Sequence, residues 1–379
     1  MIHESKLAAS KVRVTFLFLG STGAGPIYSF EMAKAIANTQ LFDLQIVISK
    51  RVYNLHEWTE EFKGNNTQLC IVDTYRHNKF SFACSFIEFW KINKVVNIIK
   101  EFQPECIYDP FPSPWKFLIY PRIKRFSRII TTLHDPHPHD KTTNPLEHWL
   151  RQANAKSLQH VNDIIILNQK DVNYVKDNYC KNVWVIPHAS FAHYVQNNTA
   201  KDKQQLKYTI GFIGRIEPYK GLDILVEAFD TINDIDIKLI IAGAGEIDKK
   251  TKQIISKNKK IELINRYIAD NEFSELLNKM DFVVLPYKRA SQSGVIPLVF
   301  AHGKTVIVTD VGSLAEQVPS GTGMVIKPEQ KEIASSIRYL YNNPNKIFEY
   351  GNNGKDYANT ELSWEHSAEL LSSIILQSN

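Results

Sequence analysis

The chain has 379 residues, 44% of them hydrophobic and 22% charged, a globular composition that excludes a largely disordered or fibrous protein. That length exceeds one ordinary core and predicts two domains. The formal net charge is +5, from 45 basic and 40 acidic residues, which is too slight to argue for nucleic acid as a partner. No apolar run approaches the roughly 18–20 residues that span a bilayer as a helix.

The four cysteines, Cys70, Cys84, Cys106 and Cys180, fit neither a zinc ribbon nor a C-x-x-C pair. Reduced thiols and a cytoplasmic location are therefore expected. Lys6 and Lys11 ahead of an apolar stretch, with Ser21-Thr22-Gly23-Ala24 after it, have the layout of a signal peptide. Arg13 interrupts that stretch, and residues 12–19 read better as a first buried strand.

That strand ends at Gly20. A glycine-rich loop follows over 21–26, then a helix over 28–37, a strand over 44–49 and an amphipathic helix over 86–102. Further strands are predicted at 106–108, 128–133, 163–167 and 183–186. Strands separated by helices imply right-handed β-α-β crossovers and a parallel sheet. Residues 196–207, QNNTAKDKQQLK, are polar up to Leu206 and read as a linker.

A second series begins after it. Strands are predicted at 208–213, 237–242, 261–263, 282–285, 305–309 and 323–326, with helices at 222–231, 271–280 and 294–301. A final helix, 364–376, is long enough to cross back onto the first half. The fold class is α/β, with two Rossmann-like parallel-sheet domains facing a cleft. The first covers 1–195, the linker 196–207 and the second 208–355, and 356–379 returns onto the first. In such sheets ligands sit at the carboxyl ends of the strands.

The run from Gly211 to Gly221, GFIGRIEPYKG, ends a strand at Gly214 and opens a helix at Gly221. Arg215 and Lys220 leave the intervening loop. A guanidinium fork, an ammonium and a helix N-terminus together favour a diphosphate. A plain strand-to-helix turn carrying two surface cations is the alternative. Further on, Ser291-Gln292-Ser293-Gly294-Val295 enters a helix. The N–H groups of Ser293, Gly294 and Val295 and the hydroxyls of Ser291 and Ser293 suit a phosphate or ribose.

Residues 208–376 resemble the family-4 retaining glycosyltransferases with the two-domain GT-B fold. The pieces that carry the resemblance are GFIGRIEPYKGLDILVEAF, IIAGAGE, NEFSELLNKMDFVVLPY, GVIPLVFAHGKTVIVTDVGSLAEQV and SWEHSAELL, in that order. The resemblance implies that Arg215 and Lys220 clamp the pyrophosphate of a UDP- or GDP-sugar. It implies that Tyr267 and Ile268 bracket the base through their backbone, and that the loop before Val295 contacts sugar and phosphates. It implies no metal and no cofactor beyond the donor. Many members carry a Glu-x7-Glu pair here. Counted from Gly303 those positions are Ala290 and Leu298, and counted from Gly294 they are Ser291 and Val299, so neither carboxylate is present.

The N-terminal half matches through residues 20–25 and TLHDPHPHD. By resemblance, Gly23 and Gly25 face the leaving group and acceptor, where glycine permits close backbone approach. His134 ends a strand like the family's active-site histidine and is expected against the transferred sugar. The cluster His134, Asp135, His137, His139, Asp140 has two other readings: a metal site, or a solvated loop. On the acceptor side we place Asp135, His137 and Trp115, whose ring is of the kind that stacks on sugars. Arg122, Lys124, Arg125 and Arg128 suit anionic lipid headgroups at the inner face of the plasma membrane, or form a solvated face. His188 reads as hinge packing. Asp234-Ile235-Asp236 spells the D-x-D of metal-dependent transferases, but lies between a helix and a strand start.

The function implied is retaining transfer of a sugar from a nucleoside diphosphate to a glycan or lipid-linked acceptor in envelope polysaccharide synthesis. The alternatives are a sugar-nucleotide epimerase and a non-catalytic sugar-nucleotide-binding partner subunit. A nicotinamide-dependent dehydrogenase lacks its dinucleotide fingerprint.

Overall fold

The computed structural model describes residues 11–74, 88–111, 113–137, 145–179, 182–191 and 208–377. The expected linker, Cys84, Cys180, His139 and Asp140 lie outside them. The chain divides into two compact units, one comprising Met1–Ile186 with Trp364–Asn379, the other Pro187–Ser363.

The first unit is a parallel seven-stranded sheet in the order β3-β2-β1-β4-β5-β6-β7. The strands are β1 (Val12–Phe18), β2 (Phe42–Ser49), β3 (Gln68–Val72), β4 (Cys106–Asp109), β5 (Arg128–Leu133), β6 (Asp163–Ile166) and β7 (Asn182–Val185). Helices α1 (Gly25–Asn38), α2 (Leu55–Glu61), α3 (Phe89–Phe102), α4 (Lys116–Ile123), α5 (Pro145–Leu158) and α6 (Val172–Asn178) connect them. The central strands read as aliphatic runs because both faces are covered by helices. β1 is fully buried from Val14 to Phe18.

The second unit is a parallel six-stranded sheet in the order β10-β9-β8-β11-β12-β13. Its strands are β8 (Tyr208–Ile213), β9 (Ile237–Ala242), β10 (Ile261–Ile264), β11 (Phe282–Leu285), β12 (Thr305–Thr309) and β13 (Gly323–Ile326). Its helices are α7 (Leu222–Asp230), α8 (Lys249–Lys257), α9 (Asp270–Lys279), α10 (Val295–Ala301), α11 (Gln330–Asn342) and α12 (Pro344–Asn359). Among the described residues α2, α4, α5, α6, α8, α11, α12 and β3 add to the elements the sequence predicts.

The last helix, α13 (Trp364–Leu376), belongs to the first unit and packs on α1. Its Trp364 ring meets Tyr28 edge-on at 5.1 Å. At its other end, the Ile374 carbonyl accepts from Arg128 Nη1 at 2.9 Å. Arg128 also pairs with the fully buried Asp163, Nε to Oδ2 at 2.7 Å. This corrects the expectation for Arg128: it is a structural cation, withheld from any lipid-facing patch. Lys124 and Arg125 are exposed.

The order of each sheet locates its switch point. β1 lies between β2 and β4, and β8 between β9 and β11. At such a reversal the loops leaving the two neighbouring strands diverge, and ligands enter there. The relevant loops follow β1 and β4 in one unit and β8 and β11 in the other.

Candidate functional site

In the second unit, β8 runs into Gly214 (φ +122°), and Pro218–Lys220 forms one 3₁₀ turn. Gly221 (φ +67°) then caps α7. A Cβ at Gly221 would lie 2.0 Å from the Pro286 carbonyl oxygen, so only glycine fits this left-handed, crowded position. The contact brings the loop after β8 against the loop after β11. A backbone bond from Lys288 to the Tyr219 carbonyl, 2.7 Å, fastens the same pair.

Arg215 is exposed, while Lys220 is half-buried. The Lys220 ammonium rests 5.1 Å above the Tyr287 ring and 3.2 Å from where a Cβ on Gly214 would stand. Burial pushes the Lys220 pKa down, and the Arg215 charge adds to that effect. The two cations therefore disfavour each other until an anion joins them.

The loop after β11 is held by Gln317, which follows β12, and by its own side chains. Gln317 accepts from the Ser293 N–H at 2.7 Å and donates Nε2 to the Ser293 carbonyl at 3.1 Å. The Val295 N–H donates to Ser293 Oγ at 3.3 Å, and the Tyr287 hydroxyl lies 3.3 Å from the same oxygen. Burial pushes the Tyr287 phenol up to about 12. These bonds correct the expectation that Ser293 and Val295 offer N–H groups to a phosphate: the first is spent on Gln317 and the second on Ser293 Oγ. Gly294 is exposed at the start of α10, and Ser291 is half-buried. His188 faces Gly294, its Nε2 being 3.8 Å from where a Cβ would stand. Its Nδ1 lies 2.8 Å from the Ala189 carbonyl, which only accepts, so Nδ1 holds the proton. Burial pushes this imidazole's pKa down and keeps it neutral.

Tyr267 is 75% exposed beyond β10, whereas the Ile268 side chain is buried. Arg266 caps the Tyr267 carbonyl at 3.0 Å and forks onto Glu272, whose Oε2 takes the Ala269 N–H at 3.1 Å. Asp234 is engaged by Arg338 on the surface, which gives the D-x-D carboxylate a structural partner.

In the first unit, His134 directly follows β5. Its Nε2 lies 2.8 Å from the Pro110 carbonyl and so carries the proton. The ring meets Phe111 at 4.2 Å and Tyr28 edge-on at 4.7 Å. Phe111 in turn packs on Gly25, where a Cβ would come within 3.0 Å of the ring. Gly23 (φ +79°) is exposed, with nothing within 4 Å of a built Cβ. The loops after β1, β4 and β5 thus bring Gly25, Phe111 and His134 together. Beneath them, Asp109 pairs with the buried Lys116 at 3.1 Å and accepts from Tyr120 at 2.8 Å and from the Phe111 N–H at 3.2 Å.

Trp115 overturns its expectation. It is fully buried in the core with Ile119, Ile123 and Ile129, so its ring is closed to a sugar. Asp135 is half-buried. His137 donates Nε2 to Asp171 Oδ1 at 2.8 Å. Among the described residues no group of three or more His, Cys, Asp or Glu is arranged to hold a metal ion. Gln317, Tyr287, Asp171 and the Asp109–Lys116 pair are site-building residues that sequence reasoning missed. Each acts on a partner at a spacing no motif encodes, 24 residues in the case of Gln317 and Ser293.

A family model described as Glycosyl transferases group 1 matches residues 207–343. The second unit is a glycosyl transferases group 1 domain. An uncharacterized glycosyltransferase of Methanocaldococcus jannaschii is 34% identical over 163 residues, 42% of this chain and 45% of that protein. The capsular polysaccharide biosynthesis glycosyltransferase CapM of Staphylococcus aureus is 26% identical over 200 residues, 48% of this chain and 52% of CapM. The chain thus spans about half the length of these curated relatives. Among solved structures, Anabaena HepE in complex with UDP superimposes with a TM-score of 0.72 at 15% identity, over 97% of this chain and 100% of HepE. The two Rossmann-like units are those of the GT-B fold. No helix among its described residues is long and apolar enough to cross a membrane.

Proposed function

We propose that this chain moves a sugar from a nucleoside diphosphate to a glycan or lipid-linked acceptor, with retention at the anomeric carbon. One observation carries the reading. Lys220, half-buried at the switch point of the family-matched unit, is held over Tyr287 and Gly214 beside Arg215.

Breaking the bond between the anomeric carbon and the diphosphate oxygen builds negative charge on the leaving group. Arg215, Lys220 and the N-terminus of α7 at Gly221 supply opposing charge that is already oriented, which is where preorganised electrostatics acts most strongly. The acceptor hydroxyl attacks the face the diphosphate leaves, and its proton passes to the leaving phosphate. No carboxylate nucleophile is required, which fits Ala290, Ser291, Leu298 and Val299 at the positions of the family's glutamate pair. In this reading the charge is met by protein cations, with no metal or further cofactor. His134, locked by Pro110, orients the sugar; Tyr267 and Ile268 hold the base; Ser291 and Gly294 line the donor loop. Gly23 and Gly25 face the leaving group and the acceptor, and Asp135 the acceptor.

HepE complexes with UDP and with UDP-glucose make UDP-glucose the first donor to test. CapM points the search for an acceptor to envelope glycans. Exposed Phe126, Lys124 and Arg125 are the residues we assign to contact with an anionic membrane at the cytoplasmic face. The test is release of nucleoside diphosphate from UDP- and GDP-sugars with and without acceptor. Acceptor-dependent release supports transfer. Donor binding without release under any acceptor overturns it in favour of a sugar-nucleotide-binding subunit.

A further inference from the structure

We propose that His137, Asp171 and Asn168 form a hydrogen-bond relay that holds a hydroxyl of the acceptor. It deepens the glycosyl-transfer reading and rests on it. His137 follows β5, and Asn168 and Asp171 follow the adjacent strand β6, so all three stand at the carboxyl edge of the sheet. Each oxygen of the Asp171 carboxylate has one donor: His137 Nε2 at 2.8 Å on Oδ1 and Asn168 Nδ2 at 2.9 Å on Oδ2. Asn168 is fixed in return, since its Oδ1 accepts from the Asp171 N–H at 2.9 Å. The His137 ring lies against Tyr174, centroids 4.4 Å apart.

The burial is one-sided. The Asp171 side chain is 8% exposed and that of His137 48%. A buried carboxylate carries a desolvation penalty that a neutral amide would avoid, so a mere staple between two loops gains nothing from having one here. What the carboxylate does is fix the tautomer. It accepts only, so the proton stays on Nε2 and the opposite nitrogen, Nδ1, presents a lone pair. Such a nitrogen accepts a hydrogen bond from a sugar hydroxyl. His137 thereby orients the acceptor, while the transferred proton still goes to the leaving phosphate. Asp171 and Asn168 are positioning residues that act through His137.

Two measurements test the relay. In long-range ¹H–¹⁵N spectra of the wild-type chain, His137 shows Nε2 protonated and Nδ1 bare, and methyl glycosides, offered as acceptors, move Nδ1 while UDP alone leaves it in place. An unmoved Nδ1 at high glycoside concentration overturns the proposal. In kinetics with UDP-glucose and the same glycosides, His137→Ala and Asp171→Asn each raise the acceptor KM by about tenfold, the worth of one such hydrogen bond, with the donor KM within about twofold. His137→Gln, which retains an acceptor oxygen, recovers part of the loss. Donor and acceptor KM rising together in both variants signals a loosened fold and sinks the relay alone. Absence of acceptor-dependent nucleotide release from the wild type overturns both the relay and the reading beneath it.

Discussion

The ammonium of Lys220 rests 5.1 Å above the Tyr287 ring, so the first strand-loop of the second unit is joined to the loop after β11 through a cation on an aromatic face. Burial already lowers the pKa of this lysine, and a bound diphosphate reverses the shift because it favours the charged form. Donor affinity therefore falls as pH rises through the lowered pKa of the free protein, earlier than an ordinary lysine dictates. Lys220→Ala flattens that limb and costs about 1.5–3 kcal/mol of donor binding, as for a hydrogen bond to a charged group. Stability runs the other way. Between the lowered folded pKa and the ordinary value the unfolded chain binds more protons, so folding gains with rising pH in that window. Calorimetric titration of UDP across the alkaline range, wild type against variant, checks the sign. An alkaline limb that survives in Lys220→Ala assigns it to another group.

Gln317 offers a cleaner structural lever. Replacing it with leucine strips both bonds from the Ser293 peptide and leaves a buried N–H unpaired, at about 1–3 kcal/mol. Gln317→Glu keeps the acceptor for the N–H but sets an oxygen against the Ser293 carbonyl, so it falls between. Thermal unfolding should rank the three in that order, with donor KM rising in parallel because Gly294 and Ser291 ride on the same loop. Equal melting temperatures for all three remove Gln317 from the account of the loop.

What the sequence made legible was whatever is written locally. Strands 208–213, 305–309 and 323–326 and the helix 364–376 match their predicted limits because aliphatic runs there end at glycine or polar residues. Arg215 and Lys220 were found because a strand, a turn and a helix start sit within one short run. Helix α5, LEHWLRQANAKSL after its proline, escaped because its apolar face is faint, and β3 because it is a short outer strand with Ile71 exposed. Trp115 misled because aromatic residues among prolines look like a binding loop. In fact α4 begins directly after it and turns the ring inward. Arg128 looked like surface charge because its partner, Asp163, is 35 residues away.

Glu272 gives a prediction read directly in acid. Its hydrogen bonds with Arg266, with help from the Ala269 N–H, hold its pKa down, lowered to about 2. The stabilising contribution is complete above the ordinary carboxylate range and is lost as pH falls through that lowered value. Carboxyl ¹³C titration should therefore find Glu272 among the last groups to protonate. In Arg266→Ala its midpoint moves up toward 4.5, and the loop bearing Tyr267 and Ile268 loses its brace. A midpoint that stays low in the variant assigns the shift to the Ala269 N–H instead.

The Asp109–Lys116 pair allows the most demanding test. Burial pushes the carboxyl up and the ammonium down, each toward its neutral form, and their contact at 3.1 Å opposes both shifts. Lys116→Met removes the countercharge and leaves Asp109 buried with only Tyr120 and the Phe111 N–H, which should cost about 3–5 kcal/mol. Asp109→Asn made on top of it removes the stranded charge while keeping an oxygen for the Phe111 N–H. The double variant should then be more stable than Lys116→Met alone, a reversal that additive effects cannot produce. Pro110, whose carbonyl fixes His134, lies between Asp109 and Phe111 in the chain, so the same cycle reads out function. The single variant should lower the rate of transfer through a loosened His134, and the double should regain part of it. Denaturant unfolding supplies the energies and turnover the second column of the cycle. Two substitutions that simply add would mean that the pair is worth no more than its separate side chains.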